Sequence, residues 1–485
     1  MARTYTHMIG LTLSVSLFAF TACSETPGAS ETAPAMVEAE APMARTSAPV
    51  EAMAMAEPAL TDVMAADAAA PAPSGGSYLA LSDVHLLPDT AGCSSHYCET
   101  TLTFWDQTQV QAQAVVASAN PDFIIYLGDM PTHSSEPAGT RDTIFGHVLD
   151  GLANIATGTP IPVLYLPGNN DTLGSNAMMG GLNDYCPFTE AGETVFNSAS
   201  DPAAWPVVNG AADIIDSTHL ADGYYAARIP VGSGGTPLRI LALNTNIYTT
   251  HYTQCSQAAA SAGSVQLDWV AAQLSEAQSA GEAVLLAMHV PPGLDGYRSA
   301  GQTSPNTMWD PAMTYQGSDT SLQGRWMQDV MLDLVARHEA QITGLIAGHT
   351  HLNGIRRLHA CDAASTITEL LVSVPGISTD HHNNPAFKHI SLDAALQPVG
   401  VTTFVTTDWT STPSWTSPVS YDFATNYPNT APAGSSLLAQ IDSMSDTDRQ
   451  QGMLRYLYAR ETHNGGAPIP DPGFFIDAMD VTCRN

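Results

Sequence analysis

Asp83-Val84-His85, Gly128-Asp129, Gly168-Asn169-Asn170-Asp171, His289 in Ala287-Met288-His289-Val290-Pro291-Pro292, and Gly348-His349-Thr350-His351 follow one another along this 485-residue chain. Asp83 and Asp129 supply carboxylates, Asn169 an amide, and His85, His289, His349 and His351 imidazoles. Carboxylate oxygen and neutral imidazole nitrogen are the donors that divalent transition metals take. Two such ions about 3.5–4 Å apart can share a water, lower its pKa and aim it at phosphorus. Each piece alone is weak; the ordered set points to a two-metal site. Zinc suits mixed nitrogen and oxygen donors best, and manganese or iron also fits.

These residues need a frame to bring them together. Short apolar runs at 78–81, 123–127, 163–166, 240–243, 283–287 and 342–347 have the composition of buried strands. Residues 264–280 and 321–340 have helical spacing, the second with Leu322, Trp326, Val330, Met331, Leu334 and Val335 on one face. Strand-helix alternation predicts a layered α/β fold. Asp83, Asp129, Asn169, His289 and His349 each come just after one of the strand runs. Strand carboxyl ends gather at one rim of such a sheet, where ligands bind. Segments 174–222 and 294–323, rich in Gly, Ser, Asn and Pro, are expected as loops that wall the cleft.

The order of motifs resembles the calcineurin-like metallophosphoesterase superfamily. Gly128-Asp129-Met130-Pro131-Thr132-His133, Leu243-Asn244-Thr245-Asn246, Gln266-Leu267-Asp268-Trp269 ahead of His289-Val290-Pro291-Pro292-Gly293, and Asn384-Pro385-Ala386-Phe387 resemble its acid sphingomyelinase-like phosphodiesterase branch. No cysteine-rich saposin-like module precedes the first motif, so the shorter members are the expected match. The resemblance implies an αββα sandwich and a hydrolase that cleaves phosphodiester or phosphoanhydride bonds with a metal-bridging hydroxide. Its substrate would be a small phosphorylated molecule: a nucleotide, a lipid head group or polyphosphate. Carried over, Asp83, His85 and His351 hold one ion, Asn169, His289 and His349 the other, and Asp129 bridges them. A phosphomonoesterase on the same site is the alternative enzyme. A non-catalytic surface lipoprotein that binds metal or a phosphorylated ligand is the alternative from another class.

The chain departs from the family at Asn170, where most members carry a histidine proposed to protonate the leaving oxygen. Asparagine does not titrate and cannot serve. Either His133, which matches a second family histidine, donates the proton, or the leaving group needs none, as in an anhydride. His381, His382 and Tyr248 are candidate substrate contacts. Asp171 is expected to accept a hydrogen bond from a metal-facing histidine.

Charge and targeting bound the setting. There are 47 acidic against 15 basic residues, and Lys388 is the only lysine. A surface this negative repels nucleic acid and anionic membrane, so duplex binding is not expected. Residues 8–22 are apolar but too short to span a bilayer, and they end in Phe20-Thr21-Ala22-Cys23. That pattern resembles a bacterial lipoprotein signal with Cys23 lipidated, which implies a periplasmic or cell-surface protein touching membrane only through its anchor. The Ala/Pro-rich acidic stretch 24–76 is expected as a disordered tether. A catalytic domain over 77–410, a helical C-terminal extension over 411–485 and a monomer complete the expectation. In an oxidising compartment Cys93, Cys98, Cys186, Cys255, Cys361 and Cys483 are disulfide candidates, paired in that order.

Overall fold

Runs such as Tyr78-Leu79-Ala80-Leu81 are apolar at every position because both faces of their strand are covered. The structure is a computed structural model that describes residues 75–87, 99–133, 138–171, 206–249, 259–295, 306–362, 364–379, 381, 383–407, 414–426, 430–445, 447–449 and 479–484. The first half of the order is β1 (Ser77–Leu81), α1 (Leu102–Ala119), β2 (Phe123–Tyr126), α2 (Ala138–Ile155), β3 (Val163–Tyr165), β4 (Val207–Asn209), β5 (Asp213–Asp216), β6 (Tyr225–Val231), β7 (Thr236–Leu243) and α3 (Ala259–Ala280). Then come β8 (Ala283–Met288), α4 (Met327–Arg337), β9 (Ile342–Ala347), β10 (Gly354–His359), β11 (Ile367–Ser373), β12 (Ala386–Leu392), β13 (Pro398–Val405), β14 (Val419–Asp422), α5 (Phe423–Asn426), α6 (Leu437–Asp442) and β15 (Asp480–Val481).

Two mixed sheets form, in the orders β14-β13-β12-β1-β2-β3-β4 and β15-β10-β11-β9-β8-β7-β6-β5. Tyr78, Ala80 and Ile125 of the first sheet meet Ile240, Leu285 and Ile346 of the second in an inter-sheet core. Alternate residues face outward. Leu79, Leu81 and Ile124 pack against Phe104, Trp105, Val148 and Leu152 of α1 and α2. Val284, Leu286 and Met288 pack against Val270, Leu274, Val330 and Met331 of α3 and α4. The layers are therefore α, β, β, α.

Helix α1 shows the local logic. Thr101 caps it by accepting the Phe104 N–H at 3.2 Å, and Asn120 closes it in the left-handed region at φ 47°. Helix α4 starts at Met327, later than the spacing predicts. Gly324 sits at φ 82° and Trp326 is extended, so Leu322 and Trp326 reach the same core from a turn. In the stretch expected as loop, Val207–Asn209 and Asp213–Asp216 are strands, paired with β3 and β6.

Past residue 410 the chain adds β14 to one sheet and β15 to the other. The sheets thus cross the expected boundary at 410. Of the expected C-terminal helix, α6 is present, capped by Ser436 Oγ on Ala439 N at 3.2 Å; residues 450–478 lie outside the described residues. Cys361 and Cys483 form a disulfide, with Cα atoms 5.4 Å apart. Cys23, Cys93, Cys98, Cys186 and Cys255 fall outside the described residues, as does the whole signal and linker region. No described helix is long and apolar enough to cross a membrane.

Candidate metal centre

The residues singled out for metal sit where the two sheets meet at one rim. Asp83, Asp129 and Asn169 follow β1, β2 and β3 of the first sheet; His289 and His349 follow β8 and β9 of the second. The turns are tight. Asp83, His85, Asp129, His349 and His351 all have positive φ, at 54°, 43°, 64°, 68° and 53°. Only Asn120, Ser365 and Leu396 share that conformation among the other described non-glycine residues, so backbone strain is concentrated at this rim.

Hydrogen bonds hold the strain. Asp83 N–H donates to Gly128 O at 3.0 Å, His85 N–H to Asp129 O at 3.1 Å, and Gly348 N–H to His289 O at 3.2 Å. Gly168 is required by closeness: a Cβ there would fall 2.2 Å from Asp129 Oδ1. Buried Tyr126 joins two ligand loops, its hydroxyl donating to Asp129 O at 2.9 Å and accepting the Val84 N–H at 3.2 Å. Tyr126→Phe leaves the Val84 N–H unpaired and takes from Asp129 O one of its two donors, the other being the His85 N–H. It should cost about 1–3 kcal/mol in urea unfolding.

The chemistry of the centre follows from which atoms can donate. His85 Nδ1 lies 3.0 Å from Pro131 O, and His289 Nδ1 lies 2.7 Å from Leu127 O. A carbonyl only accepts, so in the neutral ring the proton sits on Nδ1 and a bare Nε2 lone pair turns inward. His85 Nε2 faces His351 Nε2 at 3.1 Å and Asp129 Oδ2 at 3.4 Å. His289 Nε2 faces Asn169 Oδ1 at 2.9 Å and Asp129 Oδ2 at 3.3 Å. Buried lone pairs that confront one another need a shared cation. Donor atoms of Asp83, His85 and Asp129 lie within 4.8 Å of one another, and so do those of Asp129, His289 and His349. A third such group joins His85, His351 and His133. The donor set fits two divalent ions that share Asp129.

Residues 77–353 match the calcineurin-like phosphoesterase family. The chain belongs to that family. Among curated relatives, it is 23% identical over 300 residues to "Sphingomyelinase phosphodiesterase D" of Dictyostelium discoideum, covering 59% of this chain and 56% of that one. It is 23% identical over 321 residues to "Acid sphingomyelinase-like phosphodiesterase 3b" of Homo sapiens, covering 64% of this chain and 61% of the relative. The matched region thus spans little more than half of these relatives' lengths. A solved dimetal phosphatase from Danio rerio is similar at a TM-score of 0.38 and 14% identity, covering 72% of this chain and 98% of that one.

In this phosphoesterase-family centre, electrostatics follow the same lines. Burial opposes charge on His85 and His289, but the carboxylates of Asp83 and Asp129 outweigh it and raise both to about 9. A proton then stands where an ion would. Burial, with neighbouring imidazoles, pushes His349 and His351 well below the usual histidine range. These directions predict how the metal-stripped protein behaves. A raised histidine pKa stabilises fully below the unfolded value of 6.5, and the contribution drains as pH rises through about 9. The Tm of chelator-treated protein should therefore fall across that window relative to metal-loaded protein. A gap that stays constant with pH would contradict the assignment.

The family's proton-donor position looks different here. Asn170 does not point an acid into the cleft: its Nδ2 donates to Asp129 Oδ2 at 2.8 Å and its backbone N–H to Asp129 Oδ1 at 2.7 Å. It orients the shared carboxylate instead. Asp171, expected to receive a histidine, accepts the backbone N–H groups of Asp129 at 2.8 Å, Met130 at 2.8 Å and Gly168 at 2.6 Å. His85 and His289 are served by backbone carbonyls, and this carboxylate braces the two loops that carry Asp129 and Asn169. Burial and the nearby Asp129 charge raise Asp171 to about 6.

His133 stacks on His85 with ring centres 3.9 Å apart, and His381 stands edge-on to His351 at 4.3 Å. Both imidazoles join the cluster. Glu99, which no motif marked, accepts from His133 Nδ1 at 3.0 Å, from the His133 backbone N–H and from Thr132 Oγ1. Its only sequence signal is its place beside Cys98 in the loop after the first motif. Tyr248 is a correction. It is fully buried, stacked on Trp309 at 4.2 Å, with its hydroxyl taking a hydrogen bond from Gln266 Nε2 at 2.9 Å. Its short helical turn, Thr245–Tyr248, aims the ring into the core and away from a cleft. His382 lies outside the described residues.

Proposed function

We propose that this chain is an exported, metal-dependent hydrolase that cleaves phosphodiester or phosphoanhydride bonds. The observation that carries the reading is Asp129 Oδ2, set 3.4 Å from His85 Nε2 and 3.3 Å from His289 Nε2, the ring nitrogens that face inward while each Nδ1 meets a backbone carbonyl. Asp83, His85 and His351 would hold one ion, Asn169, His289 and His349 the second, and Asp129 both. When bound, two divalent ions, zinc first among them, activate a water for in-line attack and offset charge developing on phosphoryl oxygens.

The rest falls to the protein. Asn170 holds Asp129 in its bridging orientation. Glu99 holds His133 by Nδ1, which leaves Nε2 as the nitrogen that protonates a departing oxygen. His381 supplies a further contact for phosphate. Because Asn170 has no proton to give, substrates with good leaving groups, anhydrides included, are favoured. The relatives' names support diester cleavage. Only 15 basic residues stand against 47 acidic ones, which disfavours the extra negative charge of a monoester. The apolar segment at 8–22, Cys23 and the Cys361–Cys483 bond support export, with lipid attachment at Cys23.

Hydrolysis of bis-p-nitrophenyl phosphate and p-nitrophenyl phosphate, with zinc or manganese added, tests the reading. A higher kcat/KM is expected on the diester. Strong preference for the monoester overturns the diesterase assignment, and no metal-dependent turnover on either overturns the enzyme.

A further inference from the structure

The turn that follows His289 is fastened by groups outside the ligand set. Pro292 O and Leu294 O accept from buried Arg356 Nη1 at 2.8 and 3.1 Å. Gly293 O accepts the Met308 N–H at 2.9 Å, and Gly293 N–H donates to Gln328 Oε1 at 2.7 Å. No side chain fits at Gly293: φ is 107°, and a Cβ would meet Arg356 Nη1 at 2.5 Å and Val481 Cγ2 at 2.9 Å. Val481 belongs to β15, so the C-terminal strand packs on the turn directly.

A two-residue strand holds little by its own pairing. This one is latched along its length. Arg357 N–H donates to Met479 O at 2.6 Å, and Asp480 pairs with Arg357 and, at 2.8 Å, with His359. Arg484 N–H reaches Asp329 Oδ1 at 3.2 Å, and its guanidinium lies 4.3 Å over the Trp326 ring. Cys483 is bonded to Cys361, beyond the end of β10. Gln328 on α4, 2% exposed, joins strand and turn: Oε1 takes the Gly293 N–H, while Nε2 donates to Thr482 O at 3.4 Å.

Between this clamp and the ligand stand Val290, Pro291 and Pro292. Val290 is fixed by Thr245 Oγ1 at 2.8 Å and Trp309 Nε1 at 3.1 Å, and the two prolines have locked φ. The clamp, the two prolines and the bonds to Val290 together make one stiff stretch of backbone that ends at His289. We propose that Gln328 and the disulfide-latched strand β15 are positioning elements of the metal centre, holding His289 within reach of Asp129 and Asn169. The proposal rests on the two-ion reading of that centre.

Zinc affinity of the full chain, resolved site by site by competition with a chelator, tests it beside Tm. The variants are Gln328→Met, Gln328→Glu and the double change Cys361→Ala with Cys483→Ala. Leu152→Ala, in the core under α2 on the other sheet, serves as a stability control. Gln328→Met and the double cysteine change should each weaken one of two zinc ions by about tenfold or more and leave the other unchanged. Excess zinc should restore kcat. Gln328→Glu, which keeps the acceptor for Gly293 N–H, should bind zinc more tightly than Gln328→Met, and Leu152→Ala should lower Tm with both affinities intact. Wild-type zinc affinities in Gln328→Met and the cysteine variant overturn the proposal. So does loss of the same ion in Leu152→Ala, which makes the effect one of stability. A wild-type chain that binds fewer than two zinc ions overturns the two-ion reading as well.

Discussion

Asp129→Asn should cut hydrolysis by on the order of 10³-fold or more while the chain stays folded. The change is nearly isosteric, and the backbone bonds of this residue survive it: Tyr126 Oη still donates to its carbonyl, and its N–H still reaches Asp171 Oδ2 at 2.8 Å. What disappears is the charge between His85 and His289. An amide offers one acceptor where the carboxylate offers two, and Asn170 N–H and Nδ2 already claim both oxygens. Whichever way the amide turns, its NH₂ group faces a donor of Asn170 or a lone pair meant for an ion. Circular dichroism should be unchanged, and metal content should fall below two ions per chain. An Asp129→Asn variant that keeps both ions and its turnover would show that the shared carboxylate is not the centre's bridge.

His133→Ala should separate substrates by leaving group. With alkyl diesters, whose departing oxygen needs a proton, the expected loss is about 10²–10⁴-fold in kcat. With a nucleoside triphosphate or polyphosphate, whose leaving group is already a weak base, the loss should be small. The asymmetry arises because Asn170 is committed to Asp129 and no second histidine stands in its place. Glu99→Gln should move in the same direction by less. It keeps an oxygen for His133 Nδ1 but removes the carboxylate charge that holds the ring in place. Equal losses on both substrate classes would contradict His133 as proton donor.

The clustering of the candidate metal-binding residues was legible from sequence because Asp83, Asp129, Asn169, His289 and His349 obey a local rule: each follows an apolar run, and strand ends converge on one rim of the α/β sheet. Buried strands announce themselves for the same reason, since β1, β8 and β9 are apolar on both faces. What sequence hides is long range. Glu99 meets His133 across 34 residues, Gln328 meets Gly293 across 35, and neither pairing leaves a periodic trace. Antiparallel strands β10 to β14 were missed because polar residues such as Arg356, Lys388 and Thr403 interrupt them, each satisfied by a partner from a distant segment. Tyr248 misled because its place after a family motif suggested the cleft, while one short helical turn sends it into the core.

The central claim is that hydrolysis needs two ions held on either side of Asp129. Titrating metal-stripped protein with zinc, while recording bound ions and bis-p-nitrophenyl phosphate turnover in the same samples, tests it most directly. Turnover should stay low through the first equivalent and rise with the second, reaching its plateau at two ions per chain. Full turnover at one equivalent, or turnover that persists in stripped protein, would contradict the account.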